Sequence, residues 1–149
     1  MKPRRRSLIT MHPPPLAIAD FLAPIGAAIV FVLVMSQVRE PARRNVNAII
    51  AAGASGVYLS GGGFGLWELL FPIVAVPITY LGLRGYRFIG IAWLMHSGWD
   101  VVHHLWGNAI WPFMPTSSFG CMIFDALIAV WFFAGAPALT RPFNSATAE

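Results

Sequence analysis

Nine consecutive residues, His96-Ser-Gly-Trp-Asp100-Val-Val-His103-His104, put three imidazoles and a carboxylate inside an apolar run. Imidazole nitrogen and carboxylate oxygen are donors for zinc, iron or copper, and the same groups can move protons. His96 and Asp100 are spaced i, i+4, and Asp100 and His103 are spaced i, i+3. On a helix turning about 100° per residue, His96, Asp100, His103 and His104 fall within an arc of roughly 100°. That is a polar stripe with an apolar back. Glu68 from another segment would complete a set of four metal donors: His96, Asp100, His103 and Glu68. His104, at the edge of the arc, and Asp125 are candidates for proton-transfer or supporting catalytic roles.

The elements that position these residues follow from composition. The chain of 149 residues is 57% hydrophobic and 11% charged, with a mean hydropathy of +0.66. A soluble domain carries about 25% charged residues. The sequence therefore reads as an all-α, polytopic transmembrane helical bundle, with the lipid bilayer as its first partner. Five spans are expected, at about 16–38, 46–60, 64–83, 88–111 and 120–136. They form one domain over 16–137, between an N-terminal tail (1–15) and a C-terminal tail (138–149). The second span is short, so it either crosses or is re-entrant. Gly61-Gly62-Gly63 ends it as a flexible point, and Ala48, Ala52, Gly56 and Ser60 form a ridge of small residues suited to close helix approach.

The net charge of +4 is no nucleic-acid footprint, because the basic residues sit in short flanks, where orientation signals lie. With five spans, Arg39–Arg44, Arg84–Arg87 and Arg141 share one side. Positive-inside then puts the C-terminus in the cytoplasm of a multi-pass inner-membrane protein. The N-terminal basic residues conflict with this count unless Met11 is the start. The single cysteine, Cys121, excludes an internal disulfide.

Four of the six acidic residues, Asp20, Glu68, Asp100 and Asp125, lie inside the expected spans, and no Lys or Arg does. Span direction puts these acids and the histidines in the same half of the bilayer, the extracytoplasmic half in the orientation above. A buried carboxylate needs a neutralising partner. Protonation, a divalent metal, or pairing with histidine could each supply it, and the missing basic side chains favour the metal. Plainer roles stand beside this one. The stripe could be a hydrogen-bond network joining helices, Asp125 could reach interfacial water, and Asp20 could serve as an N-terminal cap. Haem is disfavoured, since all the intramembrane histidines share one helix.

The segments RGYRFIG, HSGWDVVHHLWGN, IWPFMPTSSFGC and IFDAL resemble a group of small bacterial integral membrane proteins of unknown function, which implies no activity. The His96–Asp100 spacing also resembles that of intramembrane hydrolases of the ceramidase and adiponectin-receptor type and of CAAX proteases. The chain has fewer spans than the first and lacks the paired glutamates of the second. The leading expectation is a membrane metalloenzyme, a hydrolase or oxidoreductase, activating water or oxygen. The alternatives are a subunit or assembly factor of a larger membrane complex, a homo-oligomer among them, and a proton- or cation-coupled transporter.

Overall fold

The computed structural model describes residues 13–139, and within them the chain is all-helical. The expected tails (1–15 and 138–149), Met11 and Arg141 lie almost wholly outside the described residues. Five α-helices follow in order: α1 (Ile18–Gln37), α2 (Ala42–Ala54), α3 (Leu70–Gly82), α4 (Tyr86–Trp106) and α5 (Ser117–Phe133). Two 3-10 turns, Val57–Ser60 and Gly65–Leu69, connect α2 to α3. Two segments, Ile18–Gln37 and Gly65–Gly82, are long and apolar enough to cross a membrane by length and composition; α5 is apolar but shorter.

Helix α1 starts where Asp20 Oδ2 accepts the Ala17 N–H at 2.7 Å. One face of α1 packs on α5, through Phe21 edge-on to Phe119 at 5.0 Å and Phe31 edge-on to Phe124 at 5.6 Å. The α4–α5 contact forms the centre of the molecule. Ile89, Trp93, Ile128, Ala129 and Phe132 are buried there, and Gly90 lets α5 come close, since a Cβ on it would sit 3.0 Å from the Phe133 ring.

The α2–α3 region departs most from the sequence expectation. Residues 46–60 do not form one span. α2 begins earlier, at Ala42, ends at Ala54, and gives way to a 3-10 turn. At about 1.5 Å per residue its 13 residues reach about 20 Å, against a hydrocarbon core of roughly 30 Å. Its buried face is Arg43, Asn47, Ala48 and Ala51, continued by Ser55, so the ridge of small residues is rotated from the one read in the sequence. Likewise α3 starts at Leu70, and Glu68 lies in the 3-10 turn before it. Pro72 therefore falls in the first turn of α3, where no backbone donor is lost. Non-helical backbone thus lies beside the middle and end of α4, where the histidines are.

Candidate metal centre

The polar stripe on α4 faces inward: His96, Asp100 and His103 are buried, and His104 at its edge is partly exposed. The structure divides the predicted residues into two clusters.

The first is His96, Asp100 and Asp125. Each offers one ligand atom, and these atoms lie within 4.8 Å of one another. His96 Nδ1 is 2.7 Å from Asp125 Oδ2 and 3.5 Å from Asp100 Oδ2. The other ring nitrogen, Nε2, donates to the Ala54 carbonyl at 2.8 Å. A carbonyl only accepts, so Nε2 carries a proton, and Nδ1 is turned toward the two carboxylates. The bond has a local cause. α2 stops at Ala54, and the last carbonyls of a helix have no donor within it. The break in α2 therefore orients the histidine.

Asp100 is held from its other oxygen. Tyr58 Oη donates to Asp100 Oδ1 at 2.7 Å, and Ser118 Oγ lies 2.9 Å from Tyr58 Oη, placed to donate to it. Asp100 Oδ2 is buried and receives no hydrogen bond. Asp100 is thus anchored through one oxygen, while the other, buried, faces His96 Nδ1 at 3.5 Å without a hydrogen bond. Tetrahedral zinc with bonds of about 2.0–2.1 Å separates its ligand atoms by about 3.3 Å. The observed 2.7 and 3.5 Å bracket that value.

The second cluster is His103 with Glu68. His103 Nδ1 donates to the Trp99 carbonyl at 2.9 Å, and Nε2 faces Glu68 Oε2 at 3.0 Å and Oε1 at 3.2 Å. The Phe64 N–H donates to Glu68 Oε1 at 3.0 Å. Gly62 closes over this pair, and a Cβ on it would lie 2.2 Å from Glu68 Oε1 and 2.7 Å from His103 Nε2. The glycine loop is tied down, with Asn108 N donating to Gly62 O and Asn108 Nδ2 donating to Gly61 O, both at 2.8 Å. Here glycine serves close approach, where the sequence suggested a hinge.

Thus the structure does not gather the expected quartet of His96, Asp100, His103 and Glu68 around one point. Asp125 joins His96 and Asp100, while Glu68 and His103 take each other. His104 stands outside both clusters. Its ring lies 5.3 Å from that of Phe119, its Nδ1 is buried without a partner, and with His103, Gly61 and Asn108 it lines a hollow of about 400 Å³. Asp20 is remote in role, since Thr116 Oγ1 donates to it at 2.6 Å and ties the start of α1 to the start of α5.

Sequence reading passed over Tyr58 and Ser118. Tyr58 joins the two clusters: its ring stacks on that of His103 with centroids 3.5 Å apart, and its hydroxyl holds Asp100. One signal was available, a tyrosine beside a glycine run in a segment too short for a full span.

Fold and site define a small all-helical protein with a buried imidazole–carboxylate cluster shared by α4 and α5. The chain belongs to a family of unknown function, DUF6010, which matches residues 19–138. No curated protein and no solved structure matches it.

Proposed function

We propose that this chain is a multi-pass membrane protein that binds a divalent cation on His96 Nδ1 and on carboxylate oxygens of Asp100 and Asp125. The observation that carries the reading is the trio of buried ligand atoms within 4.8 Å, one of them an oxygen with no donor. One nitrogen and two carboxylate oxygens are a donor set that zinc and iron accept. Three protein ligands leave a position for water, and a metal held this way supplies an activated water or a Lewis acid. The protein's own share is orientation. Ala54 O fixes the His96 ring, Tyr58 with Ser118 fixes Asp100, and burial keeps bulk water out.

The membrane reading is supported by the outer surface. Every helix exposes large apolar side chains: Ile18 at 78%, Ile49 at 67%, Ile73 at 64%, Leu94 at 54% and Val130 at 66%. Apolar surface spread over all sides fits lipid as the solvent. The break between α2 and α3 fits too, because the Ala54 carbonyl and the Phe64 N–H meet the buried side chains of His96 and Glu68. In this reading the basic turns at 39–44 and 84–87 face the cytoplasm, and the site lies in the extracytoplasmic half of an inner membrane.

Elemental analysis of the full-length, detergent-solubilised protein tests the metal. About one zinc or iron per chain is expected in wild type, falling to a small fraction in Asp100→Asn. Absence of stoichiometric metal in wild type, or undiminished metal in the variant, overturns the proposal.

A further inference from the structure

We propose that the basic end of the bundle holds the headgroup of an anionic glycerophospholipid between Arg84 and Arg87. The inference rests on the membrane reading above but is independent of the metal.

An open hollow of about 700 Å³ lies where the end of α3, the start of α4 and the end of α5 meet. Its rim carries Arg84 and Arg87, its walls include Tyr86, Phe88, Phe132 and Phe133, and no acidic side chain lines it. Both arginines are exposed, and no ion pair among the described residues engages either. Arg87 lies over the Phe88 ring, with Cζ 4.6 Å from the centroid. A guanidinium over a ring face keeps its charge and its N–H donors, and such a fork can grip two phosphate oxygens at once.

Local acid does not compete for this charge. Glu40, the one acidic residue at this end among the described residues, is occupied by Arg43 at 3.0 Å and by the Tyr86 hydroxyl. Below the rim, half-exposed Phe133 carries the apolar lining onto the exposed side of α5, with Phe132 buried behind it. Two cations above an apolar wall match a phosphodiester above acyl chains. Basic pockets between helices on the cytoplasmic side take such headgroups. A soluble phosphate would use the rim and leave the aromatic wall unfilled.

Native mass spectrometry of the full-length protein, released from micelles doped with phosphatidylglycerol or phosphatidylcholine, tests the site. Phosphatidylglycerol should be retained selectively. Retention should fall about fivefold in Arg84→Gln and about 25-fold in Arg84→Gln with Arg87→Gln. Arg44→Gln, a basic residue that does not line the hollow, should change it little, and excess inorganic phosphate should not displace the lipid. Equal retention of both lipids, an unaffected double variant, a loss as large in Arg44→Gln, or displacement by phosphate overturns the proposal. A protein that stays in solution without detergent fails the membrane reading instead, and fractionation before the lipid measurement separates the two failures.

Discussion

The two buried clusters use the same residue types at nearly the same depth of burial, yet only one has capacity to spare. In the Glu68–His103 pair, both imidazole nitrogens and both carboxylate oxygens have partners, and Gly62 lies tight against the contact. Around His96, Asp100 Oδ2 receives no hydrogen bond and lies 3.5 Å from His96 Nδ1. In the reading proposed above, the closed pair is a structural clasp and the open trio is the place for a cation. Burial and composition alone would rank the two alike, and in both an imidazole bonded to a carbonyl turns its other nitrogen to a carboxylate; what separates them is the one buried carboxylate oxygen without a hydrogen bond, Asp100 Oδ2.

The same change made in both clusters gives the largest expected contrast. Asp125→Asn replaces an anionic ligand by a neutral amide and should lower metal affinity by more than about 100-fold, since losing a group that merely orients a ligand already costs about 10–100-fold. Glu68→Gln keeps an oxygen for the Phe64 N–H and an amide beside His103, so metal content should stay within about twofold of wild type. Competition with a chelator of known affinity measures both. Equal losses in the two variants would return Glu68 to the ligand set and erase the distinction between clusters.

How much of this was legible follows from what periodicity can and cannot carry. The all-helical class, α1, α4 and the inward stripe were readable, because long apolar runs and i, i+4 spacing are local features. The α2–α3 region was not, since a chain that leaves the helix at Ala54 and re-enters it at Leu70 does so with backbone groups satisfied by distant residues. Ala54 O finds His96, and Gly61 O finds Asn108. The exchange of Glu68 for Asp125 beside His96 has the same origin. Helical spacing gives a residue's direction from its own axis, but which neighbouring helix it meets depends on packing that no single segment encodes. For Asp20, the plainer reading as a capping residue matches its bond to Ala17.

Gly62→Ala should have the next largest effect, on stability and not on metal. The added methyl would meet Glu68 Oε1 at 2.2 Å and His103 Nε2 at 2.7 Å, and neither side chain can retreat without breaking the clasp. Overpacking of this kind costs about 1–3 kcal/mol. Gly61→Ala is the matched control, since nothing lies within 4 Å of its added Cβ. Thermal unfolding in detergent should show a lowered Tm for Gly62→Ala alone, with metal content retained. A loss of metal in step with the clasp would mean that the two clusters act as one site through Tyr58.

The smallest effect is expected at the opposite end, where the Glu40–Arg43–Tyr86 latch ties α2 to α4 and touches neither cluster. Burial pushes the Glu40 carboxyl up, but hydrogen bonds from Tyr86 and Arg43 outweigh it and hold it below its usual value. A lowered carboxyl stabilises the fold above the ordinary glutamate range and loses that contribution as pH falls through the folded value. The Tyr86 hydroxyl, pushed up by burial and by its bond to Glu40 to about 12, shows the reverse sign. Its contribution is complete below about 10 and fades as pH rises toward the folded value. The Glu40 side chain is 42% exposed, so solvent screening keeps the latch to no more than about 1 kcal/mol. Tm measured against pH should therefore form a plateau falling at both ends. Glu40→Gln should flatten the acid limb and Tyr86→Phe the alkaline limb, with metal content unchanged in both. An alkaline limb that persists in Tyr86→Phe would assign that transition to another group and remove the latch as the neutral reference for the two clusters.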